Sequence, residues 1–180
     1  LWVKKVLQAF ERFRLLCAVR EGDWGVTGLN TAIERELIAR KRLVKDGPWY
    51  AGRPVMVTRN DSALGVFNGD IGITLPSPDG LLRVYFLDGD QLRSVGVARL
   101  AHIETAFAMT VHKSQGSEFT HAALVLPAYG GSVLGRELVY TGITRAKAQC
   151  TVFTQHPKVL AQALAQPTQR HSGLLEFFDS

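Results

Sequence analysis

Between Gly52 and about Leu100 the apolar residues pass from helical to strand spacing, and from Phe107 they pass back. That interruption constrains the chain more than any other feature. The runs RPVMVTRN, DIGITLP, LLRVYFLDG and LRSVGVARL are short and apolar, separated by Gly, Asn, Asp and Pro. They read as four strands joined by tight turns, the layout of a small barrel-like unit. Asp88-Gly89 supplies a hairpin turn pair, because glycine accepts positive φ without steric cost.

On both sides of this segment strands alternate with helices. Val3, Val6, Leu7, Phe10 and Phe13 lie at helical spacing, and RLLCAV (14–19) reads as a buried strand. Thr31 and Glu34 offer a capping box for a helix reaching about Val44. After the interruption, TVHKSQ predicts a short helix ended by Gly116, and HAALVLP (121–127) a buried strand. RELVYTGITRAK then predicts a helix, QCTVFTQ a strand and HPKVLAQALAQ a last helix. Parallel strands need crossover connections, so this alternation predicts an α/β domain with a parallel sheet, interrupted by an all-β insert.

Composition adds limits. The formal net charge of +5 is compatible with a nucleic-acid partner without requiring one. No stretch is long and apolar enough to span a membrane. Cys17 and Cys150 lie far apart in apolar runs, with no metal-ligand spacing, and are expected to be buried thiols in a reducing cytosol. A chain that starts in mid-helix at Leu1, without a start Met, reads as a piece of something longer.

No G-x-x-x-x-G-K-[ST] segment is present, so no phosphate-cradling loop is expected. The glycine-rich stretch Gly22 to Gly28 lacks the lysine, and Gly65 to Gly72 reads as hairpin turns. Asp88, at the end of an apolar strand, is explained by its turn rather than by a metal. No compact carboxylate cluster suits a two-metal nuclease site.

Two segments concentrate polar chemistry. Thr110, His112, Lys113, Ser114, Gln115, Ser117 and Glu118 surround Gly116 between two apolar stretches. A loop of this kind is either a solvated rim or a set of phosphate donors with a ribose acceptor. Tyr140, Thr141, Thr144 and Arg145 close an apolar helix just before a strand. Arg145 there either compensates the helix C-terminus or presents a planar guanidinium fork to a phosphate.

With these residues in view, TVHKSQGSEF resembles motif V of superfamily 1 helicases and LVYTGITRAK resembles motif VI. LLCAVREGDWGVTGLN resembles their motif IV region, and GRPVMVTRND with GVFNGDIG the motif that follows. Order and spacing are similar to the RecD branch, the exodeoxyribonuclease V alpha subunits.

The resemblance implies a RecA-like second motor domain formed by residues 1–51 and 103–180, with an SH3-like β-barrel insert at 52–102. A first motor domain carrying the phosphate loop would precede Leu1. By the same resemblance Arg145 is the arginine that reaches the γ-phosphate across the cleft, and Arg20 a second phosphate contact. Gly116, Glu118 and Gln115 fall at positions near the nucleotide. Thr110, His112, Lys113 and Ser114 fall on the DNA side, as do Arg59, Asn60 and Asn68. The implied parent is an ATP- and Mg²⁺-dependent 5′–3′ helicase of the bacterial cytoplasm. It would act on single-stranded DNA beside RecB-like and RecC-like subunits in double-strand break repair, and this chain alone would not hydrolyse ATP. Two rival readings stay open: a non-enzymatic strand-binding module, and a partner dock using Trp24, Trp49 and Tyr50.

Overall fold

The computed structural model describes residues 2–166. Two sheets organise them. The first is a four-stranded parallel sheet of β1 (Phe13–Cys17), β7 (Ala108–Thr110), β8 (Phe119–Val125) and β9 (Ala146–Phe153), in the order β7-β1-β8-β9. The second is a five-stranded antiparallel sheet of β2 (Pro54–Val57), β3 (Ile71–Pro76), β4 (Leu82–Asp88), β5 (Gln91–Gly96) and β6 (Ile103–Thr105), in the order β5-β4-β3-β2-β6. The fifth strand was not among the four sequence runs. It is only three residues long and gains its place by pairing with β2, a partner distant in sequence.

Helices cover the parallel sheet on both faces. The helix α2 (Val26–Ala39) sets Val26 and Leu29 against Leu15, Cys17 and Ala108. Opposite it, α3 (Arg136–Ile143) and α4 (Pro157–Ala165) close a core around Leu16, Met109, Ala122 and Leu124. Pro157 suits the first turn of α4, where its missing N–H would have had no helical partner.

The second sheet is buried on both faces around β2 and β3, which is why β2 carries four buried residues in a row. Val55 and Val57 point into the insert's own core with Val84, Phe86 and Val95. Met56 and Ile71 point the other way, into the core of the parallel sheet. Gly72 is required at its position, since a Cβ there would sit 2.6 Å from Val84 Cγ1 and 2.7 Å from the Tyr85 carbonyl oxygen.

The first helix, α1 (Trp2–Glu11), lays Leu7, Val3, Val6 and Phe10 on Ile73, Leu75 and Tyr85 of the antiparallel sheet. An ion pair from Lys4 to Asp90 of the β4–β5 turn, at 2.7 Å, adds to this contact.

The predicted capping box at Thr31 does not form. Helix α2 starts five residues earlier, at Val26, and the Thr31 hydroxyl instead donates back to the Thr27 carbonyl. Glycine explains the shift. A Cβ on Gly25 would lie 2.4 Å from the Glu21 carbonyl oxygen, and one on Gly28 2.4 Å from that of Gly22. The loop thus closes directly onto the helix start, and its carbonyls at Val19 and Arg20 accept the Val26 and Thr27 amides. The helix also stops at Ala39, short of Val44, because Lys41 turns left-handed at φ 54°.

Cys150 also departs from expectation. Cys17 is fully buried, but Cys150 is exposed, because β9 is the edge strand of its sheet and its middle is uncovered among the described residues.

Candidate functional site

The polar segment after β7 forms a loop that crosses from one end of the parallel sheet to the other. Thr110 ends β7, a single 3₁₀ turn spans His112–Ser114, and Gly116 reverses the chain at φ 83° before β8 begins at Phe119. The glycine is needed there because a side chain is strained at that φ. The loop is held from within. The Thr110 hydroxyl accepts the Lys113 amide, and the Ser114 hydroxyl donates to the Val111 carbonyl at 2.6 Å. Ser114 is fully buried, so its hydroxyl shapes the loop. His112, Gln115, Gly116 and Glu118 are exposed.

One side of this loop is tied to the insert. Lys113 Nζ donates to Asn68 Oδ1 at 2.9 Å, and the Asn68 amide donates to Asn60 Oδ1 at 2.8 Å. Asn60, Asn68, Lys113 and Thr110 therefore form one connected polar surface, drawn from both sheets. Arg59 lies next to it, exposed and with no ion pair among the described residues.

The other side is tied to Arg145. Arg145 Nη1 donates to the Ser117 carbonyl at 3.1 Å and Nε to the Thr141 carbonyl at 3.2 Å, while its own carbonyl accepts the Phe119 amide. The bond to Thr141 satisfies a C-terminal carbonyl of α3, one of the two roles open from sequence. All of its acceptors are neutral, and no carboxylate pairs with Arg145 among the described residues. Its charge thus stays uncompensated on a half-buried, pre-oriented guanidinium, as a phosphate-binding arginine requires. Glu118, across the Gly116 turn from Gln115, faces Lys147 at 3.7 Å.

Arg20 sits elsewhere. It follows the C-terminal end of β1, whereas Arg145 precedes the N-terminal end of β9. Strand β8 between these ends has seven residues, about 20 Å at roughly 3.3 Å per residue. Arg20 Nη2 donates to Glu104 of β6 at 2.6 Å. Sequence reading missed Glu104, Lys147 and Asn30. Glu104 and Lys147 carry charges, but a charge alone names no partner, and Glu104 finds its own 84 residues away. Asn30 is buried on α2 and joins the two sheets. Its Nδ2 donates to the carbonyls of Thr105 and Ala108, and its Oδ1 accepts the Ala108 amide.

The aromatic residues considered as a partner dock are not free. Tyr50 is buried and donates its hydroxyl to Glu34, Trp49 packs on the insert core beneath Arg53, and Trp24 is half-buried. Among the described residues no three His, Cys, Asp or Glu side chains converge on a point that suits a metal ion, and no helix is long and apolar enough to cross a membrane.

Residues 105–153 match the family model of the UvrD-like helicase C-terminal domain. The chain is 42% identical over 167 residues to the RecBCD enzyme subunit RecD of Haemophilus influenzae, covering 92% of this chain and 25% of that protein. It is 41% identical over 168 residues to the RecBCD enzyme subunit RecD of Mycobacterium tuberculosis, covering 93% and 29%. With the ATP-dependent RecD2 DNA helicase of Deinococcus radiodurans the identity is 31% over 165 residues, covering 91% and 23%. The chain therefore spans under a third of the length of these relatives. In fold it is similar to the Pif1 helicase from Bacteroides in complex with ADP-AlF3 and ssDNA, at a TM-score of 0.56 and 17% identity, over 93% of this chain and 44% of that one.

Proposed function

From the homology of this chain to the RecD subunits of RecBCD enzymes, we propose that it is the second motor domain of an ATP-dependent 5′–3′ DNA helicase of that type. In this reading residues 1–51 and 103–180 are the RecA-like domain and 52–102 an SH3-like insert, with Ile103–Thr105, which pair with β2, carried on the insert's sheet. The parent works in the bacterial cytoplasm with RecB-like and RecC-like subunits, in the repair of double-strand breaks by recombination. A preceding motor domain holds ATP and Mg²⁺, whose hydrolysis supplies the free energy for movement, so this chain alone does not turn over ATP.

One observation carries the reading. The loop 110–118 is fastened to Asn68 through Lys113 and to Arg145 through Ser117. A pull on Arg145 is thereby transmitted to the polar surface that would hold the strand. Arg145 acts as the arginine finger, offering charge to the γ-phosphate from across the cleft. Gln115, Gly116 and Glu118 lie on the segment between the two fastenings. Thr110, His112 and Lys113, with Arg59, Asn60 and Asn68, hold the backbone of single-stranded DNA without reading its sequence. Ser114 contributes by fixing the turn. Arg20 must leave Glu104 before it can meet a phosphate, so the reading rests on Arg145.

The test is Arg145→Ala in the intact parent subunit. DNA-stimulated ATP hydrolysis should fall by about 10³–10⁵, the range for arginine fingers, with single-strand affinity unchanged. Hydrolysis at the wild-type rate would rule out the assignment.

A further inference from the structure

The insert carries a pocket that the motor reading does not use. It lies between the loop 65–71 and the ends of β4 and β5, with a volume of about 340 Å³, near the small end of the ~300–1,000 Å³ range for ligand sites. Phe67, Ile71, Phe86 and Leu87 give it an apolar lining. Phe86 is almost wholly buried, but Phe67 is 49% exposed. A large aromatic ring left half in water on a rigid loop is poised for a flat partner.

The loop is rigid for visible reasons. Asp61 and Val66 exchange backbone hydrogen bonds at 2.8 and 3.0 Å. Asp70 Oδ2 accepts the Phe67 amide at 3.0 Å, and Arg93 donates to the Gly65 carbonyl and faces Asp70 at 3.5 Å. The Phe67 backbone is thus fixed before any ligand arrives, which lowers the entropy lost on binding.

Charge narrows the ligand. Arg93 and Asp70 compensate each other on the pocket wall, and Asp88 leaves the lining with a net negative charge. A phosphate is repelled there. A neutral planar ring with amino groups on its edge is not, since the carboxylates can accept from them. The cations without a carboxylate partner among the described residues lie outside the pocket. Lys113 is bonded to Asn68, the residue after Phe67, and Arg59 precedes Asn60, which holds the Asn68 amide. A strand with its phosphates on Lys113 and Arg59 would have a base within reach of Phe67.

We propose that this pocket accepts one nucleobase of the bound single strand, stacked on Phe67. The inference rests on the reading that this chain tracks single-stranded DNA, and it adds a base contact to a surface otherwise built for phosphates.

The experiment is a cycle between Phe67→Ala and base removal, in the intact parent subunit with oligo-dT carrying one abasic site at successive positions. Wild type should lose affinity by about 5- to 100-fold at one position, the range for base–aromatic stacking. Phe67→Ala should lose as much on the full oligonucleotide and nothing more at that position, while Phe67→Tyr behaves as wild type. The salt slope of binding should be unchanged in Phe67→Ala and shallower in Lys113→Ala. If no position is sensitive, or the two losses simply add, the pocket holds no base although the strand-tracking reading stands. If wild type does not bind the intact oligonucleotide, the strand-tracking reading itself falls.

Discussion

Replacing Asn30 tests what holds the two sheets in register. Its side chain makes three hydrogen bonds, at 3.0 Å to Thr105 O, 3.2 Å to Ala108 O and 3.0 Å from the Ala108 amide. Thr105 ends the last strand of the insert and Ala108 opens a strand of the parallel sheet, so one amide closes the joint between them. Each net hydrogen bond contributes about 1 kcal/mol, and a buried group left without a partner costs about 1–3 kcal/mol. Asn30→Ala should therefore destabilise by about 3 kcal/mol if water fills part of the vacated space. Asn30→Leu, which keeps the branched shape and excludes water, should cost more, about 4 kcal/mol. Against a typical stability of ~5–15 kcal/mol either loss is large. Urea unfolding followed by tryptophan fluorescence should show a lowered midpoint with little change in slope. A loss below about 1 kcal/mol for both variants would show that Asn30 is not the clamp and that the sheets are held by apolar contact through Met56 and Ile71.

Two further tests probe the same joints. Burial pushes the Glu34 carboxyl up, but hydrogen bonds from Lys45 and Tyr50 outweigh it and hold the group below its ordinary 4.5. The stabilisation is thus complete above about pH 4.5 and is lost as pH falls through the depressed value; Glu34→Gln should flatten the acid limb of stability against pH, and an unchanged limb would dismiss the pair. Burial pushes the Cys17 thiol up to about 12, whereas Cys150 is exposed on an edge strand. One thiol should react with an aromatic disulfide reagent in the native protein and a second only after unfolding; two fast thiols would mean that α2 does not seal its face of the sheet.

Much of the local structure was written in the chain. The strand at 14–19 is found at Phe13–Cys17, the turn after Asp88 joins β4 to β5, and the final helix occupies Pro157–Ala165. Each of these has a signal within a few residues: a period, a turn glycine or a proline in a first turn. The start of α2 was misread because Thr31 and Glu34 satisfy a local rule, while the true start depends on how closely Gly25 and Gly28 meet the preceding loop. Glu34 was drawn away from capping by Tyr50 and Lys45, which local spacing does not report.

The candidate site divides in the same way. Its residue types and order were legible because motifs are local strings. Which of them touch was not. Lys113 meets Asn68 across 45 residues, Arg145 meets Ser117 across 28, and Arg20 finds Glu104 across 84. The sequence by itself determined the elements, through side-chain periodicity and turn chemistry, and it determined the inventory of polar groups. Only the tertiary structure decided that α1 covers the insert, that Asn30 joins the sheets, that β9 leaves Cys150 in water, and that Arg20 and Arg145 stand at opposite ends of β8. Those outcomes depend on which apolar faces are buried together, and that is set by packing between segments far apart in the chain.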